Sequence, residues 1–162
     1  MCNEEKYQDE LSSDKAILFD ETDPDFAKFF ADFAFGDVVN QNDLDDKTRM
    51  MAILATLIGC QGRKAFEYVL LDSLKMNVTP IEIKEIIYQA VAYLGIGRVA
   101  DFLAIANDCF KSLNINLPLE AQSTTTRQTR LEKGIQAQVD IFGESMKDFW
   151  KSGDSETRHI NR

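Results

Sequence analysis

The stretch Val78–Arg98, VTPIEIKEIIYQAVAYLGIGR, decides the fold. Thr79 suits an N-cap, Pro80 suits the first helical position, and Glu82 stands three residues after the threonine. Together they spell a capping box, in which side chain and backbone satisfy each other's orphan donors. Ile83, Ile86, Ile87, Ala90, Val91 and Leu94 then recur at helical spacing, so one face of this helix is meant for a core. Gly95-Ile96-Gly97 is expected to close it. A further helix is expected from about Arg98 to Leu113, carrying Phe102, Leu103, Ile105, Ala106, Cys109 and Phe110.

Upstream, DDKTRMMAILATLIGC (45–60) has Asp45 as an N-cap and an apolar face of Met51, Leu54, Ala55 and Ile58. It breaks at a small-residue turn, Gly59-Cys60-Gln61-Gly62. The next run, RKAFEYVLLDSLKMN (63–77), carries Phe66, Val69, Leu70 and Leu74. Further back, Asp23-Pro24 reads as a helix start. Phe26, Phe29, Phe30 and Phe33 follow at helical spacing and read as core packing, with Gly36 ending that helix. Helices are thus expected near 24–35, 46–59, 63–76, 80–94 and 98–113. No strand pattern competes, and the fold class is all-α.

The chain's 162 residues suit one domain plus an appended segment. Residues 1–22 read as a mobile acidic arm with a short ordered piece at Ala16–Phe19. Residues 23–113 form the helical module, and 114–129 a polar linker with Pro118 and the run Ser123–Thr126. Residues 130–162 form a C-terminal amphipathic helix and connector. Leu131, Ile135, Val139, Phe142 and Met146 fall on one helical face there, a stripe that calls for a partner surface.

A net charge of −9 argues against a nucleic-acid partner and against anionic membrane surfaces. No apolar run is long enough to span a bilayer. The acidic N-terminus is not a signal peptide, and Cys2, Cys60 and Cys109 form no CxxC pair, so a cytoplasmic location is expected. No cluster at metal-ligand spacing and no phosphate-cradling glycine loop is present, so neither metal nor cofactor is expected.

The order helix, glycine turn, helix, TPxEI, helix resembles the carboxymuconolactone decarboxylase family, which includes the alkylhydroperoxidase D-like proteins. The resemblance runs from about Asp23 to the end of the chain. It implies a helical bundle of the alkylhydroperoxidase D type and self-assembly as a trimer or hexamer, with sites near subunit contacts. Arg130–Gly134, Gln138–Glu144 and His159–Arg162 are similar to the connector of members with two tandem modules. The chain is therefore either a single-module form or the N-terminal module of a tandem-type member.

Two chemistries come with the resemblance. One branch reduces peroxides with a CxxC pair and a histidine; the other decarboxylates a lactone acid with a histidine and a glutamate on one helix. Counting back from Thr79 puts the histidine position on Val69, the CxxC positions on Gly62 and Ala65, and the glutamate position on Ala65. None of these side chains titrates, so the standard mechanisms lack their groups. Two substitutes are candidates. Cys60 sits at the turn before the first thiol position. Glu67 lies two residues past the glutamate position, about 200° around a helix, and so faces away.

For substrate binding, Tyr93 and Arg98 are candidates. Arg98 could clamp a carboxylate, although a salt bridge to a neighbouring acid is favoured. Tyr93 could offer a hydroxyl, although packing with a satisfied hydroxyl is favoured. Cys109 reads as a small buried hydrophobe and His159 as part of the connector rather than as a catalyst. Three functions remain open: a decarboxylase-like or peroxidase-like family protein, a non-catalytic oligomeric or ligand-binding module, and a single-cysteine thiol peroxidase using Cys60.

Overall fold

The computed structural model describes residues 21–41 and 43–153. The arm through Asp20, with Cys2 and Ala16–Phe19, and the C-terminal end with His159 lie outside the described residues. Every regular element among the described residues is helical. Six α-helices follow one another: α1 Pro24–Ala31, α2 Asp46–Gly59, α3 Arg63–Lys75, α4 Pro80–Leu94, α5 Ile96–Ser112 and α6 Arg130–Phe142.

Side-chain caps set the starts of two of these helices. Asp45 caps α2 by accepting from the Thr48 backbone N–H at 2.9 Å. At α4 the capping box is complete: the Glu82 N–H donates to Thr79 Oγ1 at 3.2 Å, and the Thr79 N–H donates to Glu82 Oε2 at 2.8 Å. Such a cap stabilises a helix by about 1 kcal/mol.

Tertiary structure corrects two boundaries. The first helix does not stop at Gly36; after Ala31 it widens into a π-turn, Asp32–Val38, in which Gly36 is buried. Asn40 donates its side-chain amide to the Gly36 carbonyl there. The α4–α5 break needs one residue rather than three. Gly95 alone takes φ +79° and ψ 152°, and Arg98 N–H already donates to the Gly95 carbonyl at 3.2 Å. Ile96 and Gly97 are therefore free to be helical.

The core lies among α2, α3, α4 and α5. Leu54, Ile58, Phe66, Leu70, Ile83, Phe102, Ala106 and Phe110 are all fully buried. Phe66 and Phe102 meet edge to face with centroids 5.1 Å apart, a favoured aromatic geometry. Each such side chain contributes about 1.5–3 kcal/mol by leaving water. Ile115, Leu117 and Leu119 also pack on this core, so the first compact unit ends at Leu119, and the connection begins at Glu120 rather than Asn114.

The second unit begins at Glu120 and contains α6. Gly143, at φ +94°, ends this helix, so Met146 sits in a short 3-10 turn rather than on the same helix as Leu131. No residue of α6 is fully buried.

The four phenylalanines of the first helix correct the core-packing expectation. Phe26, Phe29, Phe30 and Phe33 are between 55% and 70% exposed, while Ala27 is the buried residue of α1. Helical spacing identifies a coherent stripe but does not say which side of it meets protein.

Candidate functional site

One end of the bundle gathers the residues that the sequence singles out. Arg63 opens α3, and its Nε lies 2.9 Å from Asp101 Oδ2 on α5. Its guanidinium also stands 6.0 Å from the Phe102 ring centroid. These contacts place the N-termini of α3 and α5 at the same end. The turn 60–62 brings the C-terminus of α2 there, and Gly95 brings the C-terminus of α4. Cys60, Gly62, Tyr93, Ile96 and Arg98 therefore share this end.

Its electrostatics differ from those of the rest of this acidic chain. Neither α3 nor α5 has a side-chain cap, and neither has an acidic residue in its first turn. The positive ends of these two helices stand at the same end as the negative C-terminal ends of α2 and α4, so the helix dipoles there largely offset one another. Arg98 adds a full charge. It lies in the first turn of α5 rather than just after a helix end, and it is exposed. Among the described residues it has no ion-pair partner, which corrects the expected salt bridge.

Tyr93 is corrected as well. It is 85% exposed, and its hydroxyl has no hydrogen-bond partner among the described residues. Ile96, three residues on at the start of α5, is 62% exposed.

At the α2–α3 turn, Gln61 rather than a glycine takes the left-handed conformation, with φ +62°. The Gly62 N–H donates to the Leu57 carbonyl at 2.8 Å. Cys60 is exposed, and its thiol faces the Leu57 carbonyl at 3.6 Å. A Cβ placed on Gly62 would stand 3.5 Å from Cys60 Sγ. The sulfur thus occupies the space directly beside position 62. Ala65 and Val69 follow along α3, both half-buried, with Val69 packed against the core.

Glu67 is exposed, and its charge acts on a different thiol. Burial first, and the Glu67 carboxylate second, push the Cys109 thiol above its ordinary value. Cys109 is half-buried against the core and stays protonated, in keeping with a packing role. The structure therefore brings Cys60, Tyr93 and Arg98 to one end, while Glu67 works through Cys109. Sequence reasoning did not single out the Arg63–Asp101 pair. Its members are far apart in the chain, and only the packing of α3 on α5 joins them.

Among the described residues, no group of three or more His, Cys, Asp or Glu side chains is placed to hold a metal ion. None of the described helices is long and apolar enough to cross a membrane. No curated protein matches the chain. The model of the carboxymuconolactone decarboxylase family matches residues 24–108, the segment that holds α1 to α4 and most of α5. That match covers more than half of the chain and coincides with its helical core, and the protein belongs to the carboxymuconolactone decarboxylase family.

Proposed function

We propose that this chain keeps the family scaffold without the family's standard chemistry and acts as a self-assembling, non-catalytic module. The observation that carries this is the occupancy of the first two turns of α3. Gly62, Ala65 and Val69 stand at the positions where the resemblance puts two thiols, a glutamate and a histidine. A general acid or base contributes about 10²–10⁴-fold to a rate. Without both, a lactone acid would bind without a partner for its proton. The exposed Phe29, Phe30 and Phe33, and the exposed Ile141 and Phe142 at the end of α6, support self-assembly into a trimer or hexamer. The free thiols Cys60 and Cys109 fit a reducing, cytoplasmic setting.

The test is a decarboxylation assay on the purified chain with a carboxymuconolactone substrate. No turnover above buffer is expected. Robust turnover would overturn the reading.

The position of Cys60 favours a second reading, a single-cysteine thiol peroxidase. Its sulfur lies beside the position of the family's first thiol. In that reaction the Cys60 thiolate attacks a peroxide oxygen and the O–O bond breaks. The alkoxide leaves and takes up a proton, and the sulfur becomes a sulfenic acid. A small external thiol then forms a mixed disulfide with loss of water, and a second equivalent releases the Cys60 thiol. Slow peroxide consumption that needs added thiol and disappears in Cys60→Ser would establish it. Fast turnover that survives Cys60→Ser would refute it.

A further inference from the structure

We propose that Lys84, Asn107 and Tyr88 form a binding site for a small, singly charged oxyanion on the face where α4 packs against α5. None of its residues lies on α3 or in the turn before it, so the site does not depend on what Gly62, Ala65 and Val69 do.

The site is a set of donors. Lys84 Nζ donates to Asn107 Oδ1, a contact that folds α5 back along α4 after the break at Gly95. An ammonium only donates, so the amide must turn its oxygen toward it. The Asn107 amide nitrogen is then left with two N–H groups that meet no acceptor among the described residues. Tyr88 lies one turn along α4 from Lys84, on the same face. It is 48% exposed, and its hydroxyl has no partner among the described residues. The two helices run in opposite directions, so Leu103, one turn back from Asn107 on α5, is level with Tyr88. Leu103 is half-buried and packed against the core, an apolar neighbour to the donors.

No acid answers these donors. Lys84 is half-buried, and its polar partner among the described residues is a neutral amide. Lys47, half-buried too, lies 2.7 Å from Glu82. Of the acids nearest on the two helices, Glu82 is engaged by that lysine, and Asp108 by Lys111 at 3.1 Å. Glu85 forms no ion pair among the described residues. Burial holds the Lys84 ammonium below its ordinary value, and no carboxylate acts to raise it. Nor do helix dipoles decide the sign here. The N-terminus of α4 and the C-terminus of α5 lie at the same end, and they oppose one another.

A half-buried ammonium without a counter-charge has lost part of its hydration with no ionic contact in return. An oxyanion on Lys84, with the Asn107 amide and the Tyr88 hydroxyl donating to it, supplies that contact through charge-assisted hydrogen bonds. One positive charge flanked by neutral donors suits one negative charge. A dianion would leave a charge unmatched.

The test follows the Asn107 side-chain amide of the full chain by nitrogen–proton NMR. Acetate is titrated in, with chloride holding the ionic strength constant. A saturable shift is expected, half complete at about 10 mM, the weak range open to one charge and two neutral donors. Acetamide, of the same shape but uncharged, should give no saturable shift. Inorganic phosphate at pH 7.5, mostly a dianion, should bind no better than acetate. Lys84→Met keeps an apolar stem without the charge and should weaken acetate binding at least tenfold, whereas Lys84→Arg should restore most of it. Tyr88→Phe should weaken it by about threefold. Circular dichroism checks that each variant is folded, and the acetate–acetamide comparison on the wild type decides even where a variant is not. No saturable shift up to about 100 mM acetate, an equal response to acetamide, tighter binding of phosphate, or unchanged binding in folded Lys84→Met would each overturn the inference.

Discussion

Lys47 Nζ lies 2.7 Å from Glu82 Oε1, tying the first turn of α2 to the capping box of α4. Glu82 thus holds two helix starts together with one carboxylate. The Lys47 ammonium first, and the Thr79 backbone N–H second, hold that carboxyl down at about 2, against an ordinary value of 4.5. A lowered folded-state value means that its contribution is complete above the ordinary value and is lost as pH falls toward 2. Glu82→Gln should therefore lower stability at pH 7 by about 0.5–1 kcal/mol, a modest amount because the pair is partly exposed. Thermal melts of variant and wild type should converge as pH falls below the ordinary carboxylate range. A gap of constant size down to pH 2 would contradict this account.

Gly95 and Gly97 make a matched pair. A Cβ at either would meet nothing within 4 Å, yet only Gly95 has a positive φ, +79°. Gly95→Ala should cost about 1–3 kcal/mol through backbone strain alone. Gly97→Ala, inside α5, should be neutral or stabilise by up to about 1 kcal/mol through helix propensity. Urea titrations of the two variants should shift in opposite directions or by clearly unequal amounts.

Phenylalanines of equal size should behave unequally. Phe66 is fully buried and meets Phe102 edge-on, so Phe66→Ala should cost about 3–5 kcal/mol. Phe29 is 70% exposed, and Phe29→Ala should change stability by no more than about 0.5 kcal/mol at concentrations where the chain is monomeric. Equal losses would mean that α1 is buried in its own chain.

The two described thiols should alkylate at different rates. Cys60 is exposed, whereas burial and the Glu67 charge keep Cys109 protonated. Iodoacetamide at pH 7.5 should label Cys60 roughly tenfold faster, as read by peptide mass spectrometry. Glu67→Gln should speed the labelling of Cys109, because removing a nearby negative charge favours the thiolate. An unchanged Cys109 rate would separate Glu67 from that thiol.

The sequence by itself determined the fold class, the capping box and turns, and the bounds of most helices. These rest on local physics: Thr79, Pro80 and Glu82 interact within one helical turn, and Ile83 to Leu94 repeat with the period of the helix itself. It also determined that Gly62, Ala65 and Val69 carry no titratable group, because residue identity alone settles that. Only the tertiary structure decided which face of a stripe meets protein. Phe29, Phe30 and Phe33 share a helical periodicity with the Ile83–Leu94 stripe, yet the three phenylalanines are exposed and the other stripe is packed against the core. A periodic pattern fixes direction around a helix axis, while burial depends on what other segments bring to that side. The same reason hid the meeting of Arg63 with Asp101, the exposure of Tyr93 and Arg98, and the approach of Cys60 to position 62. Each is set by the relative placement of chain ends and turns that no spacing along the sequence encodes.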